Sequence, residues 1–121
     1  MLLAHDGKTA RAHASFPNDA PNPVKAAEHA LGRAFLSAGN ALTGIRPPWG
    51  ILTGIRPVKL MRELLASGMD EAQAARHFTE ELRVSPRKTA LCVRTAREET
   101  RITALSTPRS ASLYLSVPFC P

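Results

Sequence analysis

Few residues in this sequence combine a reactive side chain with an informative spacing. Two cysteines, Cys92 and Cys120, could supply thiolates. Cys92 lies between Leu91 and Val93 in a helical pattern and reads as a small buried hydrophobe. Cys120 ends a short apolar strand pattern, and the C-terminal edge of a strand is a usual place for a ligand in an α/β barrel. Arg46 and Arg56 occupy the same place in a hexapeptide, Leu-Thr-Gly-Ile-Arg-Pro, that occurs at 42–47 and again at 52–57, with Trp49 between the copies. Guanidinium groups fork onto carboxylates and an indole stacks on planar rings, so Arg46, Arg56 and Trp49 form a candidate substrate-binding set. The same residues also suit a structural loop whose Trp plugs the core and whose arginines pair locally.

Other constellations are weaker. Arg87, Arg94 and Arg101 are seven apart and share a helix face, within a stretch from 83 to 109 that holds seven basic residues and two acidic ones. That face fits nucleic-acid phosphates, a docking surface for another domain, or a solvated face with Arg94–Glu98 as a local pair. The single Arg stripe carries no base readout, so nucleic acid is not the expected partner. His5, His13, His29 and His77 show no ligand spacing. No paired carboxylates and no Ser/His/Asp set stand out, so no catalytic residue is assigned.

The chain that must position these residues has 121 amino acids, room for one domain. It is 44% hydrophobic and 21% charged, with a net charge of +6, which suits a folded chain rather than a disordered one. Aromatics are only 5%, so the core is thin. No apolar run is long enough for a membrane helix. Two cysteines do not make a disulfide framework, and the apolar start at 1–4 is too short for a signal peptide, so a reduced cytoplasmic setting is expected.

Local patterns predict the elements. Asp6-Gly7 marks a hairpin turn, with a second strand within 9–15. Prolines 17, 21 and 23 mark a loop. A helix is predicted over 23–37, burying Val24, Ala27, Leu31, Ala34 and Phe35 and closed by Gly39-Asn40. An ordered Gly- and Pro-rich loop follows. Pro57 opens the next helix and Gly68 lies past its end, with Val58, Met61, Leu64 and Leu65 as the stripe. Asp70 caps another, with Ala72, Ala75, Phe78 and Leu82 facing inward. Ser85-Pro86 starts a last helix to about Thr103. A short strand is predicted over 112–117.

The run Ser112-Leu113-Tyr114-Leu115-Ser116-Val117-Pro118-Phe119-Cys120 resembles the first barrel strand and first cluster cysteine of radical SAM enzymes. The similarity is to oxygen-independent coproporphyrinogen III oxidases and their relatives, in which Leu-Tyr-x-x-Ile/Val-Pro-Phe-Cys opens a Cys-x3-Cys-x2-Cys motif. The segment Pro48-Trp49-Gly50-Ile51-Leu52-Thr53-Gly54-Ile55-Arg56-Pro57-Val58-Lys59 looks like that of the HemZ-type branch, the coproporphyrinogen dehydrogenases, which carry a helical region ahead of the barrel.

This resemblance implies that Cys120 is one of three thiolates holding a [4Fe–4S] cluster and that Tyr114 contacts S-adenosylmethionine. Ser116 departs from the usual His of that group. The implied reaction is reductive cleavage of S-adenosylmethionine to a 5′-deoxyadenosyl radical, which leads to decarboxylation of propionates to vinyls, with a tetrapyrrole substrate and an electron donor as partners. The expected architecture is a mainly helical α+β fragment: a hairpin and about four helices over 1–107, then the first strand of a truncated radical SAM α/β barrel over 108–121. The two other cluster cysteines would fall beyond Pro121, so this stretch alone is expected to hold no cofactor stably and to be inactive. A haem-carrying relative without oxidase activity, and a basic helical nucleic-acid-binding module, are the alternative readings.

Overall fold

The computed structural model describes residues 1–17, 19–54, 56–111 and 113–116. Strands β1 (Leu2–His5) and β2 (Lys8–Arg11) pair antiparallel around Asp6-Gly7, with Leu2 opposite Arg11 and His5 opposite Lys8. Asp6 and Gly7 both take positive φ, at 48° and 73°, as a two-residue hairpin turn requires. β2 is shorter than the predicted 9–15 because the pairing runs out at Met1, whose backbone exchanges hydrogen bonds with Ala12.

Helix α1 (Pro23–Thr43) starts where Asn22 accepts a hydrogen bond from the Lys25 amide at 3.0 Å. It runs six residues past the predicted end. Gly39-Asn40 does not stop it, since one internal glycine costs a helix only about 1 kcal/mol. The stop comes at Gly44, whose left-handed φ of 71° lets its N–H reach the Asn40 carbonyl at 2.8 Å.

The buried face of α1 also differs from the prediction. Ala30, Ala34 and Ala38 are buried, whereas Val24, Leu31 and Phe35 are 70%, 60% and 57% exposed. The alanine face lets neighbouring backbone come close, and the hairpin packs against this helix. Gly32 serves the same end: a Cβ there would sit 3.2 Å from Ile51 Cβ.

Helices α2 (Pro57–Ala66), α3 (Glu71–Arg76) and α4 (Pro86–Ala104) form the rest, with a π-helical stretch, His77–Glu81, continuing α3. α2 closes on Gly68, where Gly68 N–H bonds Leu65 O and Met69 N–H bonds Leu64 O. α3 opens on a reciprocal cap between Asp70 and Gln73. α4 opens on Ser85 and Pro86 as the sequence indicates. The core is Met61, Ala74, Phe78, Leu82, Val84, Cys92 and Ala96, ringed by Trp49, Ile51, Leu52, Val58, Leu60, Leu64, Leu65 and Val93. Of the predicted α3 stripe, Phe78 and Leu82 are buried; Ala74 takes the inward place expected of Ala72, which is exposed.

The loop between α1 and α2 is clasped to the turn before α4. Ile51 N–H donates to Leu82 O at 2.9 Å, and Ser85 N–H donates to Pro48 O at 3.0 Å. Gly50 sits inside this crossing with φ 59°, and a Cβ there would fall within the contact radius of Leu82 O and of Arg83 C and O.

Of the predicted last strand, Leu113, Tyr114, Leu115 and Ser116 are exposed and belong to no sheet among the described residues. Ser112 and Val117 lie outside the described residues. No helix among the described residues is long and apolar enough to cross a membrane.

Candidate functional site

The two copies of the hexapeptide do opposite jobs. The first runs out of α1, and its glycine, Gly44, terminates that helix. The second runs into α2, with Arg56 just before the helix and Pro57 as its first residue. Arg46 and Arg56 therefore line different cavities. Arg56 stands at an open groove of about 1050 Å³ between α2 and α4, with Val58, Lys59, Arg62, Glu63 and Glu99 among its walls. Charges there are largely matched: Arg62 meets Glu99 at 3.4 Å and Lys59 meets Glu63 at 3.8 Å.

Arg46 lines a smaller cavity of about 460 Å³. Its walls are Leu36, Ser37 and Asn40 of α1, Pro47, Thr79, and the 83–86 turn. A second guanidinium, that of Arg83, lines it too, and no carboxylate does. Arg83 carries a left-handed φ of 57°, a conformation uncommon in any non-glycine residue, and sequence patterns gave no sign of it. Trp49 belongs to neither cavity lining. It is half-buried on the core, with Lys88 Nζ 5.0 Å from its ring centroid.

Tyr114 is 88% exposed. Cys120 lies outside the described residues. Cys92 is fully buried in the core, and burial pushes its thiol up against the opposing pull of Lys88. Among the described residues no group of three His, Cys, Asp or Glu side chains could hold a metal ion. Those residues by themselves offer no ligand set for an iron–sulfur cluster.

Two of the four α4 arginines, Arg97 and Arg101, are ion-paired among the described residues. Arg101 pairs with Glu98 at 2.9 Å, so Glu98 does not serve Arg94 as the sequence suggested; three residues back along the helix suits the Arg101 fork better. Arg97 grips Glu71 of α3 through two bonds, at 3.1 and 2.6 Å, and holds that carboxyl below its ordinary range. Arg33 of α1 pairs with Glu81 at 3.0 Å and also reaches the Ser15 carbonyl.

Two histidines sit beside that Arg33 link. Burial lowers both His29 and His77; Lys25 adds to the shift of each, Arg33 and His77 add to that of His29, and Glu28 and Glu81 oppose. A histidine depressed on folding is protonated more readily in the unfolded chain, so its contribution is complete above its ordinary value near 6.5 and is lost as pH falls below it. Denaturant midpoints measured from pH 7.5 down to 5 are expected to fall, and His29→Gln with His77→Gln to flatten that fall. A midpoint independent of pH across this range would refute the assignment.

The hairpin, the four helices and these two cavities define a small, mainly helical α+β unit. No protein-family model and no solved structure matches it. The chain is, however, 33% identical over 99 residues to the oxygen-independent coproporphyrinogen-III oxidase-like protein HemZ of Bacillus subtilis (strain 168). The match covers 80% of this chain and 20% of that protein, so the chain spans about a fifth of its relative's length. Over those residues it is homologous to a HemZ-like protein, in keeping with the N-terminal helical region expected from the sequence.

Proposed function

We propose that this unit works as the N-terminal region of an oxygen-independent coproporphyrinogen oxidase-like oxidoreductase of porphyrin and haem biosynthesis. The observation that carries this reading is the HemZ similarity over four-fifths of the chain. The Leu-Tyr-x-x-Val-Pro-Phe-Cys pattern at 113–120 supports it as well. In this reading Cys120 is a thiolate ligand of a [4Fe–4S] cluster, and Tyr114, exposed and free of the core, is available to S-adenosylmethionine. Cluster and S-adenosylmethionine together supply radical chemistry when bound. The part described here contributes a rigid helical support, tied together by Arg33–Glu81, Arg97–Glu71 and the 48–51/82–85 clasp.

The test uses the polypeptide translated from the gene's whole reading frame, reconstituted anaerobically with iron and sulfide. Vinyl formation from coproporphyrinogen III that requires S-adenosylmethionine is expected, and Cys120→Ala is expected to remove both the cluster absorbance and the activity. Full cluster absorbance in Cys120→Ala would overturn the ligand assignment. Haem binding without vinyl formation would overturn the oxidase reading in favour of a haem-carrying relative.

A further inference from the structure

We propose that the 460 Å³ cavity bounded by α1, Arg46-Pro47 and the 83–86 turn binds a small oxyanion, a carboxylate or phosphate, between Arg46 and Arg83. Four observations converge on it. The first is charge. Two guanidinium groups line this cavity with no carboxylate, and neither has an ion-pair partner among the described residues. The larger groove at Arg56 contrasts with it, because acidic side chains there already meet Arg62 and Lys59. Like charges sharing a concave wall repel one another, and a bound anion relieves that cost.

The second observation is how the two arginines are placed. Arg46 stands two residues before Pro48, and Arg83 two residues before Ser85; the Ser85 N–H to Pro48 O bond joins the two strands of chain at 3.0 Å. On either side of Arg83, Leu82 O is held by Ile51 N–H and Val84 N–H is held by Phe78 O at 2.9 Å. The backbone that aims Arg83 is thus fixed before any ligand arrives, which lowers the ordering cost of binding.

The third is the potential of α4. Its first turn has no acidic residue and carries Arg87 and Lys88 at the positive end of a 19-residue helix. Basic residues there oppose the helix dipole, so the local field is left positive beside Ser85 and Pro86, both in the cavity wall. The fourth is the remaining lining. Ser37 and Asn40 add neutral polar groups and Ser85, whose hydroxyl oxygen caps α4, keeps its own proton to donate, while Leu36 and Val84 add apolar wall; the Thr79 hydroxyl is bonded back to the Ala75 and Arg76 carbonyls. A few convergent polar groups on an apolar wall, in a volume of this order, is the usual make-up of a small-molecule site.

This site does not depend on the oxidoreductase reading. Calorimetric titration of the chain at low ionic strength, with inorganic phosphate, pyrophosphate and citrate as separate probes, distinguishes phosphate from carboxylate preference. At least one probe is expected to bind with one-to-one stoichiometry. Arg46→Gln is expected to weaken that probe about tenfold or more, the scale of one charge-assisted pair. Arg83→Asn, a residue that tolerates the left-handed backbone, is expected to do the same with unchanged helicity by circular dichroism. Arg94→Gln, outside the cavity, is expected to change binding less than about twofold, since a rim charge outside the contact adds little. Absence of binding by all three probes, or an equal loss with Arg94→Gln, would overturn the proposal.

Discussion

Gly50→Ala is expected to destabilise the chain by about 2–5 kcal/mol, from two separate costs. Gly50 holds φ 59°, and a left-handed L-residue costs about 1–2 kcal/mol. The added methyl must also displace the Leu82 carbonyl and the Arg83 backbone, and inserting a methyl into a tight contact costs about 1–3 kcal/mol. Leu82 and Arg83 cannot give way freely. Leu82 is a core residue, its carbonyl is the acceptor for Ile51, and the next turn is tied to Pro48. A small domain has only about 5–15 kcal/mol to lose. The measurement is urea unfolding followed by circular dichroism: the midpoint should fall with little change in slope. A midpoint within error of the parent would show that the clasp does not hold the fold.

Phe78→Ala is expected to cost about 3–5 kcal/mol, the usual range for emptying a buried phenylalanine site. Phe78 is the largest fully buried side chain among the described residues, at the start of the π-helical stretch, and it packs in the cluster with Met61, Leu82 and Cys92. How far the side chains in and around the cluster, Met61, Leu64 and Leu65 among them, can lean into the gap sets where in that range the loss falls. Phe78→Leu should recover most of the loss, since it restores much of the volume. Equal losses for the two variants would mean that ring shape, rather than filled volume, is what the site requires.

The capped elements were legible in the sequence because their signals are local. Asp6-Gly7, Pro57 with Gly68, Asp70 and Ser85-Pro86 each fix a chain end through one or two backbone bonds, and all four stand where expected. The inward face of α1 was not legible. Hydrophobic spacing ranks Val24, Leu31 and Phe35 above alanine, but close approach to the hairpin and to Ile51 rewards small residues. The π-helical stretch was not legible either, because no residue type at 77–82 marks the wider bond from Leu82 N–H to His77 O that defines it.

The candidate site was half legible. Arg46 was visible through the repeated hexapeptide, while Arg83 was not, since its place depends on a left-handed backbone imposed by distant hydrogen bonds. Arg46 and Arg56 stood in one candidate set with Trp49, and the fold places the two arginines in the linings of separate cavities. Cys120, the residue with the most specific motif, lies outside the described residues.

The duplicated hexapeptide has a consequence for mutational tolerance. At its third position, Gly44 is held in a left-handed conformation, whereas Gly54 is not, and a Cβ on Gly54 meets nothing within 4 Å among the described residues. At its last position, Pro47 offers its carbonyl to the Gly50 turn, whereas Pro57 supplies the fixed φ of a helix's first residue. Identical letters ten residues apart therefore obey different substitution rules. Variation accumulated in one copy carries no information about what the other can accept.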